Sequence, residues 1–145
     1  MQPLALRFRY RRAPSPGAGN QREEILIRSR ECSSGGLFAL TEDGETLKVR
    51  LISKKGQIVV SSLPLLGLND TDWRQVRVEY SKGELTMSVS TGRLTYTSFN
   101  KGGAHIQVGV CGWLVGDPAD LVKNVGSYTG ELQEVYLSRC FEYGQ

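Results

Sequence analysis

The chain has 145 residues, 39% hydrophobic and 23% charged, with 17 Gly and 5 Pro, which fits one globular domain and leaves no room for a second. Eighteen Lys and Arg against fifteen Asp and Glu give a net charge of +3, too mild to make nucleic acid the expected partner. No apolar run approaches the roughly 20 residues that would insert into a membrane, and Met1-Gln2-Pro3 followed by LALRFRYRR lacks the apolar core and cleavage site of a signal peptide.

Period-2 alternation dominates from the start. Leu4, Leu6, Phe8 and Tyr10 alternate with Arg7, Arg9 and Arg11, predicting a strand over 4–11 with one buried and one wet face. Residues 1–30 hold seven arginines against Glu23 and Glu24, an excess of five that exceeds the charge of the whole chain. A polyanion is therefore a candidate for one face only. Ala13 to Arg22, rich in Pro, Gly and polar groups, reads as an exposed, mobile loop between strands. Further strands are expected over 24–29, 36–41, 47–51, 57–62, 76–80, 84–90, 93–98, 105–110 and 131–137, with turn signals at Gly44, Lys55-Gly56, Lys82-Gly83, Gly92 and Gly102-Gly103. Gly112 to Tyr128 has no periodicity and reads as a long loop, with at most a single helical turn at Pro118 to Val122. About ten strands at this spacing indicate a sandwich or a barrel, with helix a minor component.

Cys32, Cys111 and Cys140 form no CxxC pair, and with the single His105 they cannot furnish a regular zinc site. Asn69-Asp70-Thr71 is a glycosylation acceptor sequence, meaningful only in a secreted chain. Glycoside hydrolysis needs two carboxylates at neighbouring positions of one sheet face. Glu42, Asp43 and Glu45 instead straddle the Gly44 turn, Glu79, Glu84, Glu131 and Glu134 lack an aromatic frame, and His105 has no acidic or nucleophilic neighbour. No catalytic role is expected.

Arg7, Arg9 and Arg11 share one strand face, and Arg28 and Arg30 share a face of another. If those strands are neighbours, five guanidiniums form a flat basic patch suited to the sulfate or carboxylate groups of a glycosaminoglycan. The competing reading is a solvated charged face that protects an edge strand from aggregation. Arg77, on another strand, is taken as a distant reference position.

The segment Leu68-Asn69-Asp70-Thr71-Asp72-Trp73-Arg74-Gln75-Val76-Arg77-Val78 resembles the most recognisable stretch of laminin G-like domains. The match continues upstream through Gly35-Gly36-Leu37-Phe38-Ala39-Leu40, Leu47 to Leu51 and Gly56 to Val60, and downstream through Gly83 to Val89, His105 to Val110 and Tyr128 to Leu137. It covers residues 24–140, with residues 4–11 or 24–30 taking the place of the family's Phe-Arg-Thr strand. Departures are Trp73-Arg74 for a Trp-His pair and Gly130-Glu131 for a Gly-Cys.

The resemblance implies an all-β, two-sheet antiparallel sandwich, a jelly roll of the laminin G-like and concanavalin A-like kind, with residues 1–145 forming one such domain. The cysteine count and the N-terminus lead us to expect a fragment of a larger extracellular protein. The implied role is non-catalytic adhesion or recognition of a protein or glycan partner, assisted by calcium, with neighbouring domains of the parent chain as further partners. Alternatives are a lectin-like glycosaminoglycan-binding domain and a structural spacer. The family's calcium position points to Asp43, or Glu45 beside it, and to Asn100, oxygen donors that suit a hard cation. Its C-terminal disulfide favours a Cys111–Cys140 bridge over two buried thiols and leaves Cys32 unpaired.

Overall fold

The computed structural model describes residues 4–11, 23–31, 33, 35–65, 72–81, 83–91, 95–101, 106–109, 111–116, 126–127 and 130–138, among which there is no helix. The strands are β1 (Leu4–Arg11), β2 (Glu24–Ser29), β3 (Leu37–Glu42), β4 (Thr46–Ile52), β5 (Ile58–Pro64), β6 (Arg74–Ser81), β7 (Glu84–Ser90), β8 (Thr95–Lys101), β9 (Trp113–Val115), β10 (Gly126–Ser127) and β11 (Glu131–Ser138). One sheet has the order β11-β1-β6-β7-β8 and the other β10-β2-β3-β4-β5, with β9 also paired to β2. All pairs are antiparallel except the two-residue β10, which runs parallel to β2.

The alternation seen in the sequence is the alternation of burial. Leu4, Leu6, Phe8 and Tyr10 of β1 and Val76, Val78 and Tyr80 of β6 lie at or below 2% exposure, while Arg7, Arg77 and Glu79 point to solvent. Phe38, Leu40, Leu47, Val49 and Leu51 answer from the opposing sheet and complete one core. Each such side chain contributes roughly 1.5–3 kcal/mol by leaving water. The two sheets face each other because each strand has only one apolar face to hide.

The bounds of β1, β2 and β7 match the expectation, and β8 begins two residues later than the predicted 93–98. Residues 105–110 were expected to form a strand, yet among the described 106–109 the only ladder contact is a bridge from Val108 to Gly36. Ile106 and Val108 are buried and Gln107 is exposed, so the alternation reported burial correctly without implying a long ladder. Backbone bonds from Gly36 N to Gln107 O (2.7 Å) and Gly109 N to Gly36 O (3.0 Å) hold the segment. Gly35 and Gly36 are glycines for reasons of space: a Cβ on Gly35 would come within 2.6 Å of Gln107 O, and one on Gly36 would strike the Ile52 carbonyl.

The expected long loop from Gly112 is partly ordered against a sheet. β9 pairs with Ile27–Ser29 and β10 with Glu24–Ile25, so both lie along one edge of β2. Trp113 packs its ring against Phe38 at 5.3 Å in an edge-on arrangement. The loop proposed at 13–22 and the turn at 118–122 lie outside the described residues.

Candidate ligand-binding face

β1 lies between β11 and β6, and its odd-numbered arginines project from the outer surface of that sheet. Aromatic rings hold them. The Arg9 and Arg11 guanidiniums sit 5.1 and 4.7 Å from the Trp73 ring, and Arg7 lies 4.9 Å from that of Tyr136. Such stacking orients a guanidinium while leaving its N–H edges available. Arg11 also forms an ion pair with Glu131, its Nε donating to Oε1 at 3.1 Å, and Arg9 Nη1 approaches Glu134 Oε2 at 3.8 Å.

A bulge in β11 brings Glu134 to that position. The register runs from Arg7↔Tyr136 to Arg9↔Gln133, so β11 spends one residue more than β1. Glu134 takes φ of 55°, a left-handed conformation that costs a side chain roughly 1–2 kcal/mol.

Across β6 the register sets Arg77 directly opposite Arg7, both exposed. Arg77 is therefore a member of the face and not the distant reference expected. The five-arginine patch does not form, because β2 belongs to the other sheet. Arg28 is only 4% exposed, donating from Nη1 to Ser29 O at 3.2 Å, while Arg30 follows the end of β2. Every residue of β2 is buried, so alternation misled for this strand.

Inside the sandwich a charged cluster spans the sheets. Arg74 at the start of β6 and Glu42 at the end of β3 have side chains 0% and 1% exposed, with Nη1 donating to Oε2 at 3.1 Å. The same Nη1 donates to Tyr10 Oη at 3.1 Å, and Glu42 Oε1 accepts from Gly44 N at 2.6 Å. Burial pushes the Tyr10 hydroxyl well above the usual phenol range, with nearby Glu42 adding to the rise and Arg74 opposing it. A second, half-buried pair joins Arg50 to Glu23: burial alone would raise the Glu23 carboxyl, but hydrogen bonds from Arg50 and Thr41 hold it below the usual range.

The sequence reading passed over the inner cluster, although parity contained it. Arg74 is in phase with inward Val76, Val78 and Tyr80, and Glu42 with inward Phe38 and Leu40. The departure from the family's Trp-His pair lands on this buried cation.

The register also separates the two expected metal ligands. Asp43 follows β3 at the Arg74 end of the sandwich, its Oδ1 already accepting from Glu45 N (2.9 Å) and Thr46 N (2.8 Å). Asn100 pairs with Leu85, which pairs with Tyr80, and so belongs to the other end of the sheet, five residues beyond Thr95 and about 17 Å along the strand. Among the described residues no group of three or more His, Cys, Asp or Glu could hold a metal. Cys111 is exposed just before β9; Cys140, Cys32, Asn69 and His105 lie outside the described residues.

No family model and no curated protein matches the chain. Solved structures do. Domains LG4-5 of the mouse laminin alpha1 chain superpose with a TM-score of 0.65 at 14% identity, over 94% of this chain and 35% of that one. The LG1-3 region of the laminin alpha2 chain gives 0.66 at 15% identity, over 96% of this chain and 28% of that one. The fold is laminin G-like. A sialidase module from Ruminococcus gnavus, CBM40 bound to alpha2,3 sialyllactose, shares the fold with a TM-score of 0.62 at 11% identity, over 94% of this chain and 76% of that one. The chain spans about a third of the laminin chains it matches, and at these identities the likeness concerns the fold.

The calcium ion that the laminin G-like resemblance implies does not fit Asp43, Glu45 and Asn100 as placed here, since the first two share one turn and the third lies at the opposite end. The melting temperature should accordingly be the same in millimolar calcium and in chelator. An ion bound at about 100 times its Kd would add roughly 2.7 kcal/mol, or some 5–10 °C, and a rise of that size would reveal a site elsewhere.

The inner pair yields a second expectation. Arg74→Met or Glu42→Leu alone should cost about 3–5 kcal/mol in urea unfolding, because each strands its partner's charge in the core. The double variant should lose much less than the sum.

Proposed function

We propose that this chain is a non-catalytic recognition module of an extracellular protein and that it binds acidic glycans on the outer face of the β1 sheet. The observation that carries the reading is the row of Arg7, Arg9 and Arg11, each stacked on a ring at 4.7–5.1 Å and displayed on an exposed face. A prearranged guanidinium loses little entropy on meeting a sulfate or carboxylate and can grip it with two N–H bonds. The laminin G-like fold supports a binding role, and one structure sharing it holds a sialylated sugar. No helix among the described residues is long and apolar enough to cross a membrane.

Heparin affinity chromatography tests this. The wild-type chain should be retained and should elute as salt screens the contacts, the Debye length being about 8 Å at physiological strength. Replacing Arg7, Arg9 and Arg11 together with Ser should lower the eluting salt while the variant stays folded. Elution of the triple variant with the parent would leave the arginines as a solvated charged face with no part in binding.

A Cys111–Cys140 disulfide belongs to the same reading, resting on the laminin G-like resemblance and on the exposed position of Cys111 just before β9. By chain entropy, closing a loop of this length stabilises by roughly 3–4 kcal/mol. Peptide mapping without reduction should recover that linkage with Cys32 free; a Cys32 linkage would refute it.

A further inference from the structure

Arg7 and Arg77 face each other across β1 and β6, with Cβ atoms about 5 Å apart as for any directly opposed antiparallel pair. Like charges so placed destabilise a sheet. Their neighbours are treated differently: Arg9 has Glu134 and Arg11 has Glu131, while no carboxylate among the described residues lies within salt-bridge distance of Arg7 or Arg77. The two cations line an open groove of about 390 Å³, in one row across the sheet with Tyr136 of β11 on the other side of Arg7, and with Ser138 and Glu79 in the next row along. Tyr136 is 59% exposed and bears the Arg7 guanidinium on its ring.

We propose that this groove is the anion subsite of the face: Arg7 and Arg77 together hold one sulfate or carboxylate group of an acidic glycan, beside Tyr136. The inference rests on the glycan reading above and narrows it from a row along β1 to a pair across β1 and β6. An anion between the guanidiniums removes their repulsion and accepts hydrogen bonds from both. Arg9 and Arg11, each beside a glutamate and stacked on Trp73, extend the face along β1 away from this pair. Glu79 limits the subsite to one anionic group, because a second placed farther along would meet its carboxylate. A glycan suits the groove better than an acidic peptide: β1 is paired on both sides, so the floor offers side chains and no free main-chain edge for an added strand.

Calorimetric titration of the whole chain with a sulfated heparin hexasaccharide tests the assignment, with inorganic sulfate and a Glu-rich peptide as further probes. Arg7→Ser and Arg77→Ser should each weaken hexasaccharide binding at least about tenfold, the scale of a lost charge-assisted bond. Lys48→Ser, on β4 of the other sheet, should change it less than about threefold, and Glu79→Gln should strengthen it. Without ligand and at low salt, Arg77→Ser should raise the melting temperature by about 1–3 °C as the repulsion disappears. Sulfate should stabilise the wild type and not the Arg7→Ser, Arg77→Ser double variant.

Equal hexasaccharide binding by Arg77→Ser and wild type overturns the subsite and leaves the glycan function standing. Failure of the wild type to bind the hexasaccharide, with sulfate still stabilising it through the pair, overturns the glycan function and keeps the anion site. Tighter binding of the Glu-rich peptide overturns the choice of glycan.

Discussion

One ion pair sits where the two sheets could not otherwise be held in register. Arg74 and Glu42 come from different sheets and meet inside a largely apolar core, so their geometry ties the start of β6 to the end of β3. Apolar packing tolerates sliding, since one leucine contact much resembles the next. A buried charge pair does not: a shift of one residue along β6 would turn Arg74 out of the core and leave the Glu42 charge unmatched there, and the same shift of β3 would strand Arg74. Tyr10 fastens β1 to the same point. The outward row of arginines on β1, two residues apart, inherits its placement from that anchor: with Tyr10 fixed inward opposite Arg74, Arg7, Arg9 and Arg11 must face out.

The outer face follows from this. Because Tyr10 pairs with Arg74, Arg7 must pair with Arg77, and Trp73 must fall beside Arg9 and Arg11. On the opposite side, the bulge in β11 carries Glu134 toward Arg9, at the expense of an unfavourable backbone conformation. One strand thus supplies part of the core through its even positions and part of the recognition surface through its odd ones.

How much of this was legible depended on what each signal measured. Alternation measures which side of a strand is buried, and it placed β1, β4, β6 and β7 well because each has one wet face. It failed for β2, where Arg28 is buried along with its neighbours, since a strand hidden on both faces has no parity to read. It over-reached at 105–110, where an extended buried segment makes only one bridge. β9 and β10 were invisible because three and two residues are too short for any period. The pairing of Arg7 with Arg77 requires knowing which strands are neighbours, and the sequence order of the strands does not reveal that β1 lies between β6 and β11. The resemblance to laminin G-like domains anticipated the sandwich, yet its metal positions did not transfer. Asp43 and Asn100 occupy the right places in the chain and the wrong places in space.

The pairing of β1 with β11 also has a meaning in time. Arg11 meets Glu131 across 120 residues of chain, so the first strand waits for nearly the whole sequence before its outer edge is covered. At about 5–20 residues per second, a ribosome needs roughly 6–24 s to deliver that partner. During that interval β1 can already pair with β6, but its other edge, with Leu4, Leu6 and Phe8 beneath it, stays open to any strand that passes. The three arginines projecting beside that edge are then its protection: a nascent chain bearing them repels its own copies until β11 arrives to close the sheet.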